Sequence, residues 1–92
     1  MSTTTISATL LANRGYVVSD SLARPFGASD VFDLAFDFST VRVVLDVDEI
    51  TVKIHVLTAH SEVERYSVTL TAAPLSVLDA TLDSIESDCE DN

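Results

Sequence analysis

The chain has 92 residues, 47% of them apolar, with fifteen acidic side chains against five basic ones and a formal net charge of -10 at pH 7. That length holds one domain, and that apolar fraction is enough for one core. A surface this acidic repels nucleic acid and anionic lipid, and the five basic residues, Arg14, Arg24, Arg42, Lys53 and Arg65, are too scattered to form a basic patch for direct nucleic-acid binding.

The first five residues, Met1-Ser2-Thr3-Thr4-Thr5, carry no positive charge and no apolar run. They do not read as a secretory signal. No apolar stretch approaches the length of a membrane span. The single cysteine, Cys89, cannot close an internal disulfide. Together these features predict a soluble, cytoplasmic protein in a reducing compartment.

Residues 3–14 admit two readings. Ile6, Leu10 and Leu11 fit one helical face, Arg14 suits the last turn, and Gly15 suits a left-handed stop. The threonines and the alternation Ile6, Ala8, Leu10 fit a strand instead. Gly15 favours the helix. Tyr16-Val17-Val18 reads as a short strand or extended entry. Residues 19–30, punctuated by Pro25 and Gly27 around Phe26, read as a long loop.

Strands follow. In Val31–Phe38 the aromatic and aliphatic side chains Phe32, Leu34, Phe36 and Phe38 alternate with Asp33 and Asp37. Val41, Val43, Leu45 and Val47 alternate next, then Ile50, Val52, Ile54 and Val56, then Tyr66, Val68, Leu70 and Ala72. The apolar phase switches from odd to even across Val47-Asp48-Glu49, which places a turn there. Short connectors make neighbours antiparallel, so the prediction is a meander of about four strands with one apolar face. The cover for that face is an amphipathic helix over Pro74–Glu86, with Leu75, Leu78, Leu82 and Ile85 as its stripe. The predicted fold class is therefore α+β: one domain over residues 1–87, then an acidic disordered tail over 88–92.

No constellation in this chain names a reaction. Asp46, Asp48 and Glu49 sit at a turn that lacks the glycine and the length of a calcium loop. His55 and His60 have no third or fourth ligand at zinc spacing. No serine lies in a glycine-framed elbow, and two glycines in all leave no phosphate-cradling loop. The reading is a non-enzymatic protein with no catalytic residue, no metal and no cofactor.

The acids of the last helix carry the functional expectation. Asp79, Asp83, Glu86 and Glu90 recur at steps of four, three and four and share one helical stripe. Like charges so placed repel by roughly 0.2–0.5 kcal/mol per pair, which asks what they meet. One reading is a solvated face, or acidity adapted to high salt. The sharper reading is that the stripe, extended by Asp33 and Asp37, imitates a phosphate backbone and binds a basic protein surface, such as that of a nucleic-acid-binding protein. That would suit a small viral or mobile-element inhibitor of a nuclease or host defence complex. The alternative is a homo-oligomeric assembly module, a homodimer for example, that uses the apolar sheet face or an exposed edge such as Val31–Phe38.

Overall fold

A computed structural model describes residues 3–18, 30–45 and 51–90. The long loop expected over 19–30 lies outside the described residues except for Asp30, as do the turn acids Asp46, Asp48 and Glu49. Among the described residues five strands form one sheet in the order of the chain: β1 (Val17–Val18), β2 (Asp30–Ala35), β3 (Ser39–Leu45), β4 (Thr51–Thr58) and β5 (Glu64–Thr71), each antiparallel to the next. The extra strand relative to the expected four is β1, the short Val17-Val18 segment paired with Asp33 and Phe32.

Alternation sets the register. Phe32 lies opposite Val43, Val43 opposite Ile54, and Ile54 opposite Val68. Beside that row, Leu34, Val41, Val56 and Tyr66 are matched in the same way. Both rows share one face, and Val41, Val43, Ile54 and Val56 are fully buried there. The intervening row, Asp33, Arg42, His55 and Ser67, lies on the opposite, polar face.

Two helices cover the apolar face. The first, α1 (Thr3–Asn13), settles the choice between helix and strand for the N-terminal segment. Gly15 takes φ +97°, its N–H donates to the Ala12 carbonyl at 3.1 Å, and the Tyr16 N–H donates to the Leu11 carbonyl at 3.0 Å. This pair of bonds closes the helix in a Schellman motif and buries Leu11 and Tyr16 together.

The second, α2 (Leu75–Glu90), buries Leu78, Leu82, Ile85 and Cys89 in the same core cluster as Leu11 and the inner strand residues. Burial of each Leu or Ile is worth about 1.5–3 kcal/mol, several times the repulsion between neighbouring acids, so packing dictates the pose of α2. The helix runs four residues past its expected end at Glu86. Cys89 continues the spacing of Leu78, Leu82 and Ile85, and its 3% exposure makes it core. The disordered tail expected from residue 88 is thus helical as far as Glu90; residues 91–92 lie outside the described region.

A second difference is at Val31–Phe38. The strand stops at Ala35, and the Phe36 N–H turns to the Ser39 carbonyl at 2.7 Å. Asp37 therefore sits in a turn and does not share a strand face with Asp33, and Phe38 is 67% exposed. Nor is this segment wholly an open edge: β2 lies between β1 and β3, and β1 pairs with its Phe32 and Asp33.

Candidate functional site

The acidic stripe of α2 meets a cation from the other end of the chain. Arg14 follows α1 directly, and the Schellman turn at Gly15 fixes where its side chain departs. Its guanidinium donates from Nε and Nη2 to the two carboxylate oxygens of Glu86, each at 3.0 Å. It also donates to Asp83 at 3.0 Å and to Asp79. Steps of four and three residues on α2 place these three carboxylates on adjacent turns, so one planar fork spans them all. The Tyr16 hydroxyl completes the cluster by donating to Glu86 Oε2 at 2.9 Å.

Burial grades this cluster from inside to outside. The side chains of Arg14 and Glu86 are 17% and 16% exposed, whereas Asp79 is 53% and Asp83 81% exposed. Hydrogen bonding to Glu86 holds the Arg14 guanidinium even more firmly protonated than usual. Burial, then the negative charge of Glu86, pushes the Tyr16 phenol well above its ordinary range. Glu86 is thus turned inward, contrary to a stripe that faces solvent along its whole length. Three carboxylates share one guanidinium, so the outer rim keeps an excess of negative charge.

The remaining expected site residues divide. Glu90 is exposed, and with Asp37 it lines a shallow cleft together with Ala35, Phe36 and Cys89. Asp37 is thereby brought to the C-terminal end of the α2 acids. Asp33 is not. It lies on the opposite face of the sheet, where Arg42 grips both its oxygens at 2.9 and 3.2 Å and also donates to Glu62 at 3.0 Å. On that face His55 Nδ1 also contacts Glu64. These pairs follow from the register, which sets Asp33 opposite Arg42 and Arg42 opposite His55.

At the far end of the core, β5 carries a bulge. The pairing passes from Val56–Tyr66 to Leu57–Glu64, leaving Arg65 as an extra residue. Its guanidinium donates to Ser39 Oγ at 3.0 Å, satisfying a fully buried hydroxyl. Burial, reinforced by the charge of Asp88, raises the neighbouring Cys89 thiol above its ordinary value. That holds it in the unreactive protonated form.

Among the described residues no group of three or more His, Cys, Asp or Glu side chains is arranged to hold a metal ion, and no helix is long and apolar enough to cross a membrane. Neither protein-family models, nor curated proteins, nor solved structures show a match to this chain.

Arg14 and Tyr16 are the residues that sequence reasoning missed. The available signal was the stripe itself. Helix α2 has five carboxylates and no basic residue, so any counter-ion has to come from another element.

Proposed function

We propose that this protein is a non-enzymatic binder of a basic protein surface, and that the outer flank of α2 is where the partner docks. The observation that carries the reading is the charge left over after Arg14 is counted. Asp83 remains 81% exposed, Asp79 53%, and Glu90 and Asp37 extend the acids past the end of the clamp. The stripe positions recur about every 4.5–6 Å along the helix axis, a spacing at which a basic groove that normally tracks phosphates can engage them in turn. Arg14 contributes by holding Asp79, Asp83 and Glu86 in one fixed array before the partner arrives, which lowers the entropy lost on binding. A nucleic-acid-binding protein, such as a nuclease or a defence complex inhibited by occupying its groove, is the class of partner this array suits. Asp33, bound to Arg42 on the other face, has no part in it.

The test is affinity capture from host lysate with the wild-type protein and with Asp83→Lys/Glu90→Lys. Both positions are exposed; because Asp83 also accepts from Arg14 Nη2, Glu90→Lys alone, outside the clamp, is tested in parallel, and circular dichroism checks that each variant is folded. Basic nucleic-acid-binding proteins should be held at low salt, released at high salt, and bound about tenfold more weakly by the double variant, equivalent to about 1.4 kcal/mol. Capture that is insensitive to both salt and charge reversal would rule the acidic flank out.

A further inference from the structure

The sheet ends in two unlike edges. β1 is two residues long, whereas β5 has eight residues and, among the described residues, no strand pairs with its outer side. Natural edge strands are usually protected by charge, proline or a bulge. On β5 those devices are confined to one end, at Glu64 and the bulged Arg65; from Tyr66 to Thr71 there is neither a charge nor a proline. Beside this run lies an open apolar groove, lined by Val68 from β5 and by Val77, Ala80, Thr81 and Ser84 from α2. Val77 is 42% and Tyr66 36% exposed. The flank of α2 that walls the groove is the one turned away from Asp79, Asp83 and Glu86.

We infer that β5 is a self-association edge, and that the occupant of this groove is β5 of a second copy, paired antiparallel about a two-fold axis at Val68. A two-fold axis perpendicular to the sheet keeps each side chain on its own face, so only registers that match residues of the same face are allowed. A register centred on Ser67 sets Glu64 against Leu70 of the partner. Centred on Val68, the strands set Val68 against itself, Tyr66 against Leu70, and Ser67 against Thr69, with Arg65 opposite Thr71 and no like charges opposed. The apolar triplets of the two copies then form one continuous floor, and the two grooves merge beneath two α2 helices whose facing residues are small. Electrostatics selects the same place. On a chain of net charge -10, most contacts between two copies would bring acid to acid, whereas the middle of this seam is uncharged and its charges, Glu64 and Arg65 of β5 and Asp88 of α2, gather at the Tyr66 end of each copy. The inference is independent of the acidic flank, which remains exposed on the outside of such a dimer.

The experiment has two arms. Light scattering across a concentration series, on wild type and on Val77→Lys/Ala80→Lys, should give twice the 9.9 kDa chain mass for wild type and a single chain for the variant. In the second arm, Val68→Cys and Thr71→Cys are exposed to mild oxidation. Residues directly opposite across an antiparallel pair have Cβ atoms about 4.5–5.5 Å apart, so Val68→Cys should form a disulfide-linked dimer and Thr71→Cys should not. A wild-type monomer at every concentration overturns the inference. So does a dimer that survives the lysines, or one in which Val68→Cys fails to link.

Discussion

Arg14 and Glu86 are joined by two parallel hydrogen bonds of 3.0 Å across a separation of 72 residues. Both side chains are about five-sixths shielded from water. The pair fastens α1 to α2 on the covered face of the sheet. Arg14→Ala should therefore destabilise the fold by about 2–3 kcal/mol, below the 3–5 kcal/mol of a fully buried pair because Asp79 and Asp83 are open to solvent. Thermal unfolding followed by circular dichroism should show a fall of roughly 10–20 °C for a domain of this size. Arg14→Lys keeps the charge but not the fork and should fall between the two. An unchanged midpoint for Arg14→Ala would mean that the cluster contributes nothing to stability.

Stability should decline in alkali through Tyr16. Its folded pKa is raised above the ordinary value near 10, by burial first and by Glu86 second. Above about pH 10 the unfolded chain loses this proton while the folded one keeps it, so deprotonation pulls toward the unfolded state. The contribution is whole below about pH 10 and is lost by about 1.4 kcal/mol per pH unit above it. Tyr66, also raised by burial and by Asp88, and Cys89 act in the same direction. Denaturant titrations from pH 8 to pH 11 should show Tyr16→Phe less stable at pH 8, by about 1–2 kcal/mol for its lost bond to a carboxylate, yet less sensitive to alkali than wild type.

Gly15 has a purely conformational role. An added Cβ would meet only the Leu34 Cδ1 methyl at 3.8 Å, an ordinary contact, while φ is +97°. Gly15→Ala should thus cost about 1–2 kcal/mol from the backbone alone. A denaturant midpoint equal to wild type would show that the turn tolerates a side chain.

Cys89 should be silent toward thiol reagents until the protein unfolds, since it is 3% exposed and its thiol is held protonated. Labelling with a chromogenic disulfide should be slow in buffer and complete in denaturant. Removal of residues 88–92 should lower the unfolding midpoint, because it cuts into the core. Rapid labelling of the native protein would place Cys89 outside that core.

The strands were legible because half-buried antiparallel strands write their register as alternation. The odd phase of Val41, Val43 and Leu45 and the even phase of Ile54 and Val56 are visible without coordinates. The end of α1 was legible through Gly15. The end of α2 was not, because Cys89 stands among Asp88, Glu90 and Asp91 and reads as tail, although its spacing from Ile85 continues the buried stripe. The turn at Phe36–Phe38 escaped because its aromatics prolong the alternation of β2 past the point where the backbone turns. The acids of the site were legible as a stripe, but their clamp depends on how two distant helices pack, and local periodicity carries no record of that. The bulge at Arg65 was hidden for the same reason.

The order of elements has a consequence for synthesis. The meander of β2 to β5 can pair through neighbouring segments as they emerge, but α2, which buries Leu78, Leu82, Ile85 and Cys89 against it, follows every strand in the chain. Until residues 75–90 have left the ribosome, Val41, Val43, Ile54 and Val56 lack that cover, and Arg14 has no carboxylates of α2 to hold. The nascent sheet is therefore at its most vulnerable to misassociation just before translation passes Glu90, and the helical layer closes only then, with the Arg14 fork as its latch.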